Sequence, residues 1–146
     1  MKFLPGKRAV LVLLAVAAVL LLMPLAAQAT LYGFSQITNN GSPATASQYW
    51  VDVTASGAQV KFHFTNSGPI SSSITDIYFD DGSLLGIASV INGPGVDFSQ
   101  GACPGNLPGG NLAVPAFATT AGFSADSNPP RQPNGVNPGG EYVDIL

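Results

Sequence analysis

Charge is scarce in this chain. Lys, Arg, Asp and Glu make up 9% of its 146 residues, against about 25% in an average soluble protein, which argues against disorder driven by self-repulsion. Cations are scarcer still. Lys2, Lys7 and Arg8 sit in the first eight residues, so the body of the chain keeps only Lys61 and Arg131 against eight carboxylates, a net charge of −6. No basic surface is left for phosphates, and nucleic-acid binding is excluded. With one cysteine, Cys103, an internal disulfide is impossible, and with one histidine, His63, no His-based metal cluster can form. There is no Gly-x-Ser-x-Gly elbow, no phosphate-binding loop and no His-Glu-x-x-His. Beyond the leader, apolar residues do not recur at helical spacing over three turns.

What is present begins with an export signal. Three cations are followed by the apolar run Ala9 to Met23, then the helix breaker Pro24, then Ala27-Gln28-Ala29, the small-x-small arrangement that a signal peptidase accepts. Cleavage is expected before Thr30, leaving one domain over residues 30–146. The competing reading is an uncleaved anchor, because Ala9 to Ala27 is nearly as long as the 20 or so residues a spanning helix needs. No Cys follows the run, which argues against a lipoprotein, and Lys7-Arg8 is not a twin-arginine signal.

Period-two patterning dominates the rest. Val60, Phe62 and Phe64 alternate with Lys61, His63 and Thr65, as in a strand with one buried and one wet face. Tyr49, Val51 and Val53 alternate with Trp50, Asp52 and Thr54, and Ala55-Ser56-Gly57-Ala58 is short enough to close a hairpin between the two runs. Leu31 to Ile37 is a third candidate strand. Ser73 to Phe79 stops at the turn signal Asp80-Asp81-Gly82, and Leu84 to Ile91 is expected as the returning arm. Val96 and Phe98 mark a shorter strand, and Phe117 to Phe123 fits a strand or a helical turn. Gly101 to Pro115 and Ser127 to Gly140, rich in Gly and Pro, are expected as long loops. Short β-rich runs between frequent turn signals predict an all-β, antiparallel β-sandwich with long Gly/Pro-rich loops, preceded by a helical signal peptide. Tyr142 to Leu146 ends in mid-pattern on two apolar residues, and the expectation is a truncated sequence or a terminal strand in need of a partner.

Few residues could carry chemistry. His63 reads as a solvent-facing strand residue, with a ligand or general base as the sharper alternative. Asp76, Asp80 and Asp81 could present oxygens to extracellular calcium, yet their spacing matches no calcium loop, and a turn whose carboxylates cap amides is the simpler reading. Asp126-Ser127-Asn128 is a weaker case of the same kind. Cys103 is a free thiol, or pairs with another chain or with a cysteine further along a longer protein. Tyr49 and Trp50 invite stacking on sugar rings, but one must face the core and the other solvent, so no platform of several rings is evident. No catalytic, cofactor-binding or metal residues are assigned, and no cofactor is implied.

Phe34-Ser35-Gln36-Ile37-Thr38-Asn39-Asn40, then Ser73-Ile74-Thr75-Asp76-Ile77-Tyr78-Phe79-Asp80-Asp81-Gly82, Leu107-Pro108-Gly109-Gly110, Phe123-Ser124-Ala125-Asp126-Ser127 and Pro138-Gly139-Gly140-Glu141 form an ordered series. It resembles the ectodomains of bacterial PEP-CTERM proteins, which are exported exosortase substrates. The resemblance implies a secreted or surface-associated protein of exopolysaccharide-producing bacteria, with a structural or interaction role and no assigned catalytic activity. Polysaccharide or other surface proteins would be its partners. The sorting tail of that family, Val-Pro-Glu-Pro followed by an apolar span and an arginine cluster, is not in this sequence. A carbohydrate-binding module is the alternative from another class. Mass spectrometry of the exported protein is expected to find Thr30 at the N-terminus, and Met1 there rejects cleavage.

Overall fold

A computed structural model of the protein describes residues 28–39, 41–80 and 86–146. Residues 1–27 of the leader expected over 1–29 lie outside them, as do Asp81, Gly82 and the start of the arm expected from Leu84. Eight strands are described: β1 (Thr30–Gly33), β2 (Tyr49–Ser56), β3 (Gln59–Asn66), β4 (Asp76–Tyr78), β5 (Val90–Asn92), β6 (Phe98–Gln100), β7 (Ser124–Ser127) and β8 (Tyr142–Ile145). They form two antiparallel sheets, ordered β1-β2-β3-β8-β5 and β4-β7-β6. The two α-helices described, α1 (Pro43–Ala46) and α2 (Arg131–Asn134), are single turns, and Gly110–Leu112 is a single 3-10 turn. This is the sandwich-like, all-β architecture that the alternating patterns predict.

The β2–β3 hairpin follows its sequence closely. Ser56 pairs with Gln59, so Gly57 and Ala58 form a two-residue loop, and Gly57 at its first position has φ +63°, which suits a glycine-led hairpin turn. Val51 and Phe64 pair across it and are buried. They join Val143 and Ile145 of β8 and Ile77, Phe98 and Ala125 of the smaller sheet in one core cluster.

Three expectations are corrected. The segments either side of Asp80-Asp81-Gly82 do not pair as a hairpin. Ile77 pairs with Ala125 in the smaller sheet, whereas Val90 pairs with Ile145 in the larger one. Two remote partners outcompete a local turn signal, and Leu146 extends the second by accepting from Ala88 N–H at 2.6 Å and donating to the Ser89 carbonyl at 3.0 Å. The last strand does not lack a partner: β8 lies between β3 and β5, with Val143 and Ile145 0% and 1% exposed. Finally, Phe117 to Phe123 forms neither the strand nor the helical turn expected of it; the strand begins directly after it, and Ser124–Ser127 is the middle strand of the smaller sheet. Its Ser124, Ala125 and Ser127 are buried, and the two hydroxyls are satisfied by Ala102 N–H at 3.0 Å and the Arg131 carbonyl at 2.9 Å.

Both long loops are tied down. Val136, in the second, bridges to Ile74 and is fully buried, while Leu107, in the first, donates its N–H to Thr119 Oγ1 at 3.2 Å. Beta1 is shorter than expected, because Phe34 to Ile37 leave the sheet. A buried amide pair anchors the crossover that follows β3. Gln48 donates to Asn66 Oδ1 at 2.7 Å and accepts from Ile70 N–H at 3.0 Å, and Asn66 donates to the carbonyls of Ser72 and Val136 at 2.9 and 3.3 Å. Ile145→Ala is expected to cost about 2–5 kcal/mol in urea unfolding, and a loss below about 1 kcal/mol contradicts central packing of β8.

Candidate functional site

Where Phe34 to Thr38 diverge from β1, they wall an open cleft of about 930 Å³. Its floor takes Tyr49 and Phe64 from the inner face of the larger sheet, and its other walls take Ile74 to Tyr78 and the Gly/Pro loop at Leu107 and Phe117. Apolar and aromatic walls with a few polar groups are the usual lining of a binding cleft, and the volume is within the ligand-pocket range.

The outer face of the larger sheet carries a different arrangement. Strand register sets two rows across it. One runs Gly33, Trp50, Thr65, Tyr142, and the next runs Leu31, Asp52, His63, Asp144, Ile91. His63 Nδ1 lies 2.5 Å from Asp144 Oδ1, and Lys61 Nζ is 3.8 Å from Asp144 Oδ2. Asp52 is the cross-strand partner of His63 on its other side, and its Oδ1 is buried with no hydrogen-bond partner, an arrangement that costs free energy until a donor meets it. The His63 and Tyr142 rings lie 5.0 Å apart between centroids. Tyr49 and Trp50 take opposite faces, as period two requires. The second ring beside Trp50 is instead Tyr142, and its signal was the alternation Tyr142-Val143-Asp144-Ile145 at the far end of the chain.

The charged groups at the cleft hold one another. Asp76 and Asp126 are direct cross-strand partners, a like-charge pairing that repels. Arg131 from α2 resolves it, with Nη1 3.1 Å from Asp76 Oδ1 and 3.1 Å from Asp126 Oδ2. Asp76 also accepts from the Thr75 hydroxyl at 2.7 Å, and Asp126 from Cys103 N–H at 3.3 Å. The carboxylates considered for calcium are thus drawn to separate partners: Asp76 to Arg131, Asp80 to Ala118 N–H at 3.2 Å, with Asp81 outside the described residues. Asp126, Ser127 and Asn128 likewise diverge, Asn128 donating to Asp97 Oδ1 at 2.9 Å. Among the described residues no three His, Cys, Asp or Glu side chains converge on a metal position. Cys103 is exposed and free at the cleft rim.

Tyr78 donates to the Pro104 carbonyl at 2.8 Å. Burial, and then the carboxylates of Asp76 and Asp126, hold its phenol above the ordinary value of 10.0, against the pull of Arg131. A raised folded pKa favours the neutral phenol, so its contribution to stability is complete below the pH at which the unfolded tyrosine titrates and is lost as pH rises through the folded value. Thermal melts are expected to fall above about pH 10 and to fall less in Tyr78→Phe. Parallel curves for the two proteins remove this contribution.

Comparison with protein-family models, with curated proteins and with solved structures finds no match for this chain.

Proposed function

We propose that the chain is an exported, non-catalytic sandwich module of the PEP-CTERM type, acting by binding in the cell envelope or exopolysaccharide matrix. The observation that carries this reading is the cleft. It offers an apolar, aromatic-walled recess of about 930 Å³, while the charged side chains at its edge, Asp76 and Arg131, are tied with Asp126 into one ion-pair cluster. A catalytic site needs an activated nucleophile or a poised acid and base; the ionic cluster here spends its charges on holding α2 against the smaller sheet. The expected export leader and the ordered segments that resemble PEP-CTERM ectodomains support the extracellular setting. His63, the one imidazole, lies on the outer face of the larger sheet, away from the cleft lining.

The reading as an extracellular carbohydrate-binding module is favoured by a separate observation, the two aromatic rings Trp50 and Tyr142 in one row of the outer face. Cell fractionation is expected to recover the protein outside the inner membrane, and the purified protein is expected to convert none of a panel of glycosides, esters and phosphate esters. Sustained conversion that is lost in His63→Ala overturns the non-catalytic reading.

A further inference from the structure

The outer face of the larger sheet has an order that its role in the fold does not demand. Extended by one residue through the hydrogen bond from Gly93 N–H to the Tyr142 carbonyl at 3.0 Å, its first row reads Gly33, Trp50, Thr65, Tyr142, Gly93. Each ring lies over the glycine next to it. A Cβ on Gly33 would sit 3.4 Å from Cζ3 of Trp50, and one on Gly93 would sit 2.8 and 2.9 Å from Cδ1 and Cε1 of Tyr142. Both rings lean down onto the sheet over those glycines and stay partly exposed on its outer side. The two rings stand on strands separated by β3, so their backbones are about 10 Å apart, with the Thr65 hydroxyl position between them.

The second row supplies hydrogen-bonding groups, and they are unbalanced. Asp52 and Asp144 bring its carboxylates, Thr65 adds a hydroxyl from the neighbouring first row, and the imidazole of His63 and the ammonium of Lys61, which stands opposite Thr54 beyond the second row, are both already directed at Asp144. Buried Asp52 Oδ1 has no hydrogen-bond partner among the described residues. A face of two flat π surfaces with surplus acceptors complements a ligand with flat C–H faces and many hydroxyl donors. Its two carboxylates, on a body of net charge −6, repel polyanions.

The geometry points to a second binding surface, distinct from the cleft: a neutral polysaccharide lies across the strands of the larger sheet, its sugar rings stacked on Trp50 and Tyr142 and its hydroxyls donating to the Asp52 and Asp144 row. This inference rests on the extracellular setting proposed above but not on what the cleft binds.

Trp50 is the chain's one tryptophan, so its fluorescence reports this surface alone. Neutral β-1,4- and β-1,3-linked glucose hexasaccharides, with polygalacturonate as the acidic arm, are titrated into the protein with emission and acrylamide quenching as readouts and calorimetry alongside. A saturable blue shift with protection from quenching is expected for a neutral hexasaccharide, with none for polygalacturonate. Tyr142→Ala is expected to weaken binding about tenfold or more, and Tyr142→Phe to keep it. Because Tyr142 also packs on Gly93, Thr65→Arg, which lays a long side chain between the rings, serves as a second variant with the same expected loss. Absence of saturable binding to both neutral hexasaccharides, preference for the acidic polymer, or binding that survives both variants overturns the inference. Binding lost in the cleft variant Phe117→Ala but kept in Tyr142→Ala also overturns it, while leaving the proposed function standing.

Discussion

Burial of Val143 and Ile145 between the sheets is the constraint on which the remaining structure depends. Both side chains are closed off from solvent, and β8 can bury them only from a central position, hydrogen-bonded to β3 on one side and β5 on the other. Since side chains alternate along a strand, the same packing turns Tyr142 and Asp144 to the opposite face. Core and outer surface are therefore two consequences of one register. A slip of a single residue would expose the two aliphatic side chains and bury a carboxylate beside a phenol, which is why the position of β8 is so strongly determined.

Scarcity of charge gives the few ionic contacts their weight. The two cations of residues 30–146 both lie against carboxylates, Lys61 near Asp144 and Arg131 between Asp76 and Asp126. The second of these has a structural task. Beta7 places Asp126 directly opposite Asp76, and the guanidinium from α2 offsets a repulsion that would otherwise weaken a sheet of only three short strands. Ion pairs this accessible are individually worth little. Their value here is geometric, since they decide where α2 and the rim of the cleft lie.

Much of the fold was legible in the sequence where alternation was strong and partners were adjacent. The runs around Val51 and Phe64 have large apolar residues at every second position and a glycine at the turn, and they pair antiparallel as expected, through a turn of two residues rather than four. Ser124 to Ser127 escaped notice because three of its four residues are polar, and a middle strand is ordinarily recognised by β-branched or aromatic side chains. Asp80-Asp81-Gly82 misled for the opposite reason. Its turn chemistry is local, while the pairing of its two flanks is decided by β7 and β8, far along the chain. The aromatic pair on the outer face was hidden in the same way. Trp50 was visible as one half, but no spacing rule connects it to Tyr142 until β3 and β8 are known to be neighbours.

The buried pair Gln48 and Asn66 joins the end of the hairpin to the segment that crosses toward the smaller sheet, and through the Val136 carbonyl to the second long loop. Separating the layers would break several of these buried amide hydrogen bonds at once, each with a net worth of about 0.5–1.5 kcal/mol. The sandwich has no soft seam there along which it could be peeled. A load applied to one end of the domain is resisted by both sheets together, so the body yields as a unit or not at all.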